Sequence, residues 1–343
     1  MLENCQPTIE KKSLDSTFGS IEISNSNPLL VLYNNRRVSP LLNEKIVFIG
    51  QLDSYEKGSE IACHLLNLKI SDSKIYRLTD EIGSEAANWL EEEDFRTELP
   101  KEGVIYGQMD GSMILTRESG WKETKLGRIF SSQDIYEETN NRNWLRNSEY
   151  VAHLGSHTVF ETSFSKILDR YSDRNENLVF INDGARWQWN WITAEYPKAT
   201  QILDFFHAME HIGSFVSLIK KGKEKTQFME NISNSLKHKG VKNCWEKLNK
   251  LECKTKKQKS EKQSLKTYMD NNESRMDYPK YLSRNLLIGS GAIESAHRTV
   301  IQKRMKLSGQ RWSENGAKNM LNIRVVNMSG HWNRVQKFFR LRA

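Results

Sequence analysis

Asp110, Asp183 and Glu294 are the residues of this 343-residue sequence whose settings best suit them to chemistry. Asp110 follows the apolar run Val104-Ile105-Tyr106-Gly107-Gln108-Met109, Asp183 follows Leu178-Val179-Phe180-Ile181-Asn182, and a glycine comes after each acid. That position holds a carboxylate at a strand end while the chain turns away. Glu294 falls later, on a segment of helical period introduced by Gly289-Ser290-Gly291. If the first and fourth strands are neighbours and that helix crosses their ends, the three carboxylates can hold two Mg²⁺ (or Mn²⁺) ions roughly 4 Å apart. One ion lowers the pKa of an attacking water or 3′-hydroxyl and the other stabilises the leaving oxygen, which is phosphodiester chemistry. Taken singly, each Asp-Gly is better read as an ordinary turn; the case rests on three acids in this order.

A second constellation competes. His207-Ala208-Met209-Glu210-His211 matches H-x-x-E-H, in which two histidines one helical turn apart bind zinc and the glutamate acts as base. The motif is short, and a zinc protease would leave Asp110, Asp183 and the basic segments without a role. His211 alone reads as a packed or surface histidine, whereas His207 is the better functional candidate through a pairing with Asp204.

The elements that must position these groups alternate strand and helix, which predicts an α/β domain with its acids at strand ends. Residues 1–41 are polar and without sustained period, a loosely ordered lead-in. Residues 42–98 turn helical: Ile61, Ala62, Leu65 and Leu66 share a face, as do Ile75, Leu78, Thr79 and Ile82. Ser71 or Ser73 can cap the second of these helices and Gly83 can end it. Two helices and a tight turn could form a helix-turn-helix offering Lys74, Tyr76 and Arg77 to DNA, although a plain helical hairpin is equally compatible. Residues 99–212 begin with a hairpin whose turn is Asp110-Gly111, joined by strands at 125–130, 178–182 and 200–203. Helices are expected at 160–171, at 185–195 before Pro197, and from Asp204 onward. Residues 213–275 interrupt the domain with Lys-rich helix, residues 276–307 resume it with the Glu294 helix, and residues 308–343 form a basic helical end.

Charge is unevenly placed. The total is 51 Lys+Arg against 43 Asp+Glu, but residues 213–268 hold 15 basic and 5 acidic residues, and residues 298–343 hold 11 against Glu314 alone. The remainder is therefore acidic by twelve, so two basic segments flank an acidic body, as expected where carboxylates act on a polyanion. For 213–268 alone, a solvated helical face explains the charge at least as well. Arg298, Lys303, Arg304 and Lys306 follow Glu294 on one helix and are expected to line a DNA groove beside the metal site. Trp312, next to Arg311, is a candidate for stacking on a splayed base; Trp187 and Trp191 suit core packing better. The longest apolar runs, such as residues 28–33, are far too short to span a membrane, and residues 1–12 lack a secretory signal. A cytoplasmic protein without membrane contact is expected. Cys5, Cys63, Cys244 and Cys253 are too scattered for a disulfide framework or a structural zinc site and read as reduced thiols.

Longer blocks carry a resemblance. Asp110-Gly111-Ser112-Met113, the run from Phe180 to Asn190, the segment from Tyr196 to His211, Ile288-Gly289-Ser290-Gly291-Ala292-Ile293-Glu294-Ser295-Ala296, and the stretch from Arg304 to Ser313 resemble bacterial insertion-sequence transposases of the ISKra type. The likeness runs from about residue 40 to 335. It implies a ribonuclease H-like mixed sheet flanked by helices, with catalytic Asp110, Asp183 and Glu294 holding the metal ions and residues 213–275 as a helical insertion. Asp204-Phe205-Phe206-His207 resembles the Asp/Cys-x-x-His element of Mutator-like transposases, which gives Asp204 and His207 supporting roles. DNA, as element ends and target, is the implied partner, bound by a homo-oligomer associated with the nucleoid. Relatives are expected to carry a further Cys-rich leading segment that this sequence lacks. A domesticated or inactive descendant that only binds DNA is therefore the competing expectation.

Overall fold

Five strands, in the spatial order Glu149–Leu154, Gly120–Ser131, Ile105–Thr116, Leu178–Asn182 and Thr200–Leu203, organise the chain. The computed structural model describes residues 11–16, 19–24, 38–92, 103–138, 142–170 and 177–341. β3 (Ile105–Thr116), β4 (Gly120–Ser131) and β7 (Glu149–Leu154) are antiparallel neighbours, and β8 (Leu178–Asn182) and β9 (Thr200–Leu203) run parallel to β3. The class is mixed α/β, and the first and fourth strands of the sheet are indeed hydrogen-bonded neighbours. Two small hairpins stand apart from the sheet. One pairs β1 (Lys11–Ser16) with β2 (Gly19–Ser24), inside the segment expected to be a loose lead-in. The other pairs β5 (Ile135–Glu138) with β6 (Arg142–Leu145).

The helices on the described residues are α1 (Pro40–Leu52), α2 (Tyr55–Leu66), α3 (Asp72–Glu91), α4 (His157–Leu168), α5 (Arg186–Glu195), α6 (Phe205–Val216), α7 (Gly222–Asn249), α8 (Lys256–Asn272), α9 (Tyr278–Ser283) and α10 (Gly291–Ala296), then α11 (Glu314–Met328) and α12 (Asn333–Leu341). Beyond Ala296 the chain continues as a π-helical stretch, His297–Gln302, and a last α-turn, Lys303–Met305. α7 is broken at Gly240, whose φ of 80° an L side chain rarely adopts. No helix among the described residues is long and apolar enough to cross a membrane.

The expected turn at Asp110-Gly111 is not there. β3 passes straight through both residues, pairing Asp110 with Leu126 and Gly111 with Lys125, and the chain reverses at Arg117-Glu118-Ser119. Gly120, with φ of 67°, supplies the left-handed residue that closes this turn. Asp183-Gly184 does leave its strand: β8 ends at Asn182, Gly184 has φ of 108°, and the Asp183 carboxylate accepts the Ala185 N–H at 3.1 Å. Of two identical dipeptides, only the one whose glycine has positive φ turns the chain.

Side chains alternate across β3. Tyr106, Gln108 and Asp110 share the face opposed by Phe130, Arg128 and Leu126. Onto that face is tied the strap 286–290 and the start of α10, because Leu287 N–H donates to the Tyr106 hydroxyl at 3.1 Å and Ile293 N–H donates to Gln108 Oε1 at 2.9 Å. On the opposite face α4 packs so closely that a Cβ at Gly127 would lie 2.4 Å from the Phe164 ring.

The Lys-rich insertion is not a detached arm. α7 and α8 bury Ile232, Leu236, Cys244, Leu248, Leu265 and Met269 in the same core as Ile181, Ile202 and Phe205. Burial pushes the Cys244 thiol up to about 12, and Cys63, Cys244 and Cys253 are free thiols; Cys5 lies outside the described residues.

α3 is capped by Ser71, as expected, but it runs eight residues past Gly83. Here glycine permits close approach between helices: a Cβ at Gly83 would stand 2.3 Å from the Asn319 carbonyl oxygen of α11. In an exposed helix, Gly→Ala stabilises by up to about 1 kcal/mol. Gly83→Ala should instead lower stability by about 1–3 kcal/mol through overpacking against a backbone that cannot rotate away. Thermal melting checks the sign, and an unchanged or higher Tm would show that α3 and α11 are not in this contact.

Candidate active site

The site is built where β3 and β8 run side by side. Asn182, fully buried at the end of β8, accepts the Met109 N–H on its Oδ1 at 2.9 Å, so the end of β8 that leads into Asp183 is tied to the middle of β3 just before Asp110. The two carboxylates repel each other across this tie. β9 ends beside β8, with Asp204 N–H donating to the Asn182 carbonyl at 2.8 Å.

Asp204 then caps α6. Its Oδ1 accepts the Phe206 N–H at 2.9 Å and its Oδ2 accepts the Ser290 hydroxyl. The same hydroxyl lies 3.5 Å from Glu294 Oε1. Ser290 therefore links the Asp204 cap to the glutamate one turn into α10. The expected pairing of Asp204 with His207 is replaced by these contacts. His207 turns its Nδ1 to Glu210 Oε2 at 3.6 Å and its Nε2 to His211 Nε2 at 3.3 Å.

Buried Gln108 positions the glutamate helix. It accepts the Ile293 N–H and donates to the Gly289 carbonyl at 3.3 Å, while Arg128 next to it donates to the Ala292 carbonyl at 2.8 Å. α10 thus lies on the Asp110 face of the sheet, with Glu294 exposed and His297 buried against Asp110, its Nε2 3.3 Å from Asp110 Oδ2. Burial pushes the Asp110 carboxyl above its ordinary value, opposed by His297, by the Gly111 N–H it accepts and by His207, and reinforced by Asp183. Burial pulls His297 below its ordinary value, helped by Lys306 and opposed by the Asp110 carboxylate. In this conformation no three His, Cys, Asp or Glu side chains among the described residues are grouped closely enough to hold an ion. Asp110 and Asp183 are brought together; Glu294 reaches the same end of the sheet through Ser290.

Sequence reasoning missed four participants. Ser290 and His297 flank Glu294 at −4 and +3, a spacing that puts both near its helical face and could have flagged them. Gln108 could have been found as the residue two before Asp110, on the same face of a strand. Tyr268, from α8 of the insertion, left no local signal. Its hydroxyl is buried without a partner, its ring stacks on His211 at 4.2 Å, and burial, then the charges of Asp183 and Asp204, raise its pKa.

The expected DNA contacts divide. Arg298, Lys303 and Lys306 are exposed, and Lys306 is close enough to depress His297. Arg304 is 0% exposed and lies between the rings of Tyr55 (4.6 Å) and Trp312 (5.0 Å), donating to the Gly50 carbonyl at 3.0 Å. It is a packing residue and cannot line a groove. Trp312 is buried too, its Nε1–H given to the Met305 carbonyl and one ring face covered by Arg304, so it is not free to stack on a splayed base. Arg311 is exposed; on α3, Tyr76 and Arg77 are exposed and Lys74 is half-buried. Trp191 is buried in the sheet core as expected, and Trp187 packs beside it half-buried.

A model for an uncharacterised protein family, UPF0236, matches residues 27–340. The chain belongs to that family. The match takes in all three acids, the insertion and the strap, so the whole constellation is family territory. A comparison with curated proteins found no match.

The Asp110 environment makes a pH prediction. A carboxyl raised in the folded state weakens the fold once it ionises, and that cost vanishes below its ordinary pKa of 3.8, where both states are protonated. Asp110→Asn should therefore melt higher than the parent at pH 7–8, with a gain that shrinks as pH falls through the raised value. Melting curves from pH 3 to 8 check it; a gain independent of pH would show that desolvation of Asp110 is not the cause.

Proposed function

We propose that the chain is a DDE-type DNA transposase with a ribonuclease H-like catalytic domain. The observation that carries this reading is the Gln108 clamp, which holds the Glu294 helix on the Asp110 face of the sheet, next to the end of β8 that leads into Asp183. Adjacent first and fourth strands and a helical insertion before the glutamate support the same assignment.

The donor set suits Mg²⁺ or Mn²⁺: three carboxylates, all hard oxygen ligands, one of them held above its ordinary value by burial, which a bound cation would offset. Asp110, Asp183 and Glu294 would hold two such ions, which activate the attacking oxygen and stabilise the leaving one. The chain's own residues orient the rest. Ser290 gives its hydroxyl hydrogen to the Asp204 cap with Glu294 Oε1 3.5 Å away, His297 lies against Asp110, and exposed Arg298, Lys303 and Lys306 would neutralise phosphates. Hydrolysis at an element end joins water oxygen to phosphorus and frees a 3′-hydroxyl. In strand transfer that hydroxyl attacks a target phosphodiester and releases the target's own 3′-hydroxyl. α2 and α3 would serve as the DNA-binding helix-turn-helix through Tyr76 and Arg77, and the working form would be a homo-oligomer on DNA at the nucleoid.

The zinc-protease reading gains the close His207–His211 pair, but no third ligand stands with it among the described residues. A non-catalytic DNA-binding descendant would have no need to keep Asp110, Asp183 and Glu294 as carboxylates.

Purified protein should nick a duplex carrying the ends of its encoding element only with Mg²⁺ or Mn²⁺, and Asp183→Asn or Glu294→Gln should reduce nicking to background. Wild-type nicking that Asp183→Asn leaves intact would sink the catalytic assignment, and DNA binding without nicking would favour the descendant. The basic residues give a separate test. Arg298→Ala with Lys306→Ala should leave melting unchanged and shallow the salt dependence of DNA binding by about two units, one per lost phosphate contact. Arg304→Ala should instead lower the Tm, because it removes a fully buried side chain from between two rings.

A further inference from the structure

About 20 Å from Asp110, six residues along β3 at ~3.3 Å each, a second concave site opens beside Thr116. It is a cavity of about 680 Å³ lined by Tyr55, Tyr76, Arg77, Arg117 and Arg311, with the N-terminal turns of α3 and α11 at its rim. The wall is built by backbone pairing: Trp312 N–H donates to the Leu115 carbonyl at 3.0 Å and Arg117 N–H donates to the Trp312 carbonyl at 2.8 Å, which locks residues 311–313 to the end of β3. Arg77, Arg117 and Arg311 thus converge from three separate parts of the chain, all exposed, and no ion pair to them is found among the described residues. Asp72 is the one carboxylate in the lining, and it is turned onto Ser73, accepting its N–H at 2.6 Å. Behind Tyr55 and Trp312 lies Arg304, fully buried, with both terminal nitrogens unpartnered, so a fourth cation adds its field to the wall.

Three guanidiniums without a carboxylate partner, one of them (Arg77) giving its Nε–H to the Ser73 carbonyl at 3.3 Å, and a half-exposed tyrosine ring, 5.4 Å from a second tyrosine, form a receptor for a phosphate attached to a flat ring. The volume lies in the range of small-ligand sites. We infer that this cavity seats one nucleotide of a DNA strand, its phosphate on Arg117 and Arg311 and its base against Tyr76. The site would engage DNA about six base pairs from the carboxylates, at a rise of ~3.4 Å per pair. The inference rests on the transposase reading only for the choice of DNA over a free nucleotide.

Binding in EDTA, where cleavage is suppressed, tests it with the full chain, a fluorescent 30-base-pair duplex and, separately, dAMP. The expected result is that Arg117→Ala with Arg311→Ala melts like the parent, weakens duplex binding, and shallows the salt slope by about two units. In the wild-type chain, a duplex substituted with 5-iododeoxyuridine should photocrosslink to Tyr76 or Tyr55. This measurement stands if the double variant fails to fold. An unchanged slope in a well-folded double variant, or crosslinks confined to other residues, would overturn the pocket while leaving Mg²⁺-dependent nicking as the measure of the transposase reading. Binding of dAMP lost in the double variant, with no duplex binding by wild type at any salt, would overturn both.

Discussion

The buried side chain of Gln108 is the interaction on which the site depends. It lies in the middle of β3, where its carbonyl accepts from the first turn of α10 and its amide donates to the strap before it. A buried amide left unsatisfied costs about 1–3 kcal/mol, so the helix is held in one place by polar groups that have nowhere else to bond. The strap is fixed again by Tyr106 and by Phe205 N–H, which donates to the Ile288 carbonyl at 2.9 Å. The Glu294 helix is thereby held on the Asp110 face of the sheet, near the end of β8 that leads into Asp183.

Around those acids the electrostatics is graded. Asp110 is desolvated beside His297 and Asp183, an arrangement that disfavours its charge and that a cation would relieve. Exposed Arg298, Lys303 and Lys306 continue from the same helix, and the Arg-lined cavity lies further along the same strand. The scaffold thus presents acids at one point and cations along a line leading away from it. On the proposed reading, that division would place a polyanion against metal ligands.

Much of this was legible in the sequence, for identifiable reasons. β8, β9 and the Asp204 cap were found because a five-residue apolar run, Pro197 and an N-cap aspartate are local signals. The Asp110-Gly111 turn was misread because Asp-Gly favours turns in isolation, whereas here twelve residues of β4 pair with β3 and carry the strand through. Gly83 was read as a helix end because the partner that requires a glycine, Asn319, is 236 residues away. Arg304 was read as a surface cation for the same reason: Tyr55 and Gly50, which enclose it, come from the other end of the chain. Charge pattern identifies cations, but only tertiary packing says which of them meet solvent.

The central claim is that the metal ions are held between Asp110, Asp183 and Glu294. Fe²⁺ substituted for Mg²⁺, with ascorbate and peroxide, generates hydroxyl radicals at the bound ion that cut the polypeptide beside it. The account predicts cuts near residues 108–111, 182–185 and 290–298, suppressed by excess Mg²⁺ and absent in Asp183→Asn. Cuts confined to residues 207–211, or cuts with no preferred position, would contradict it.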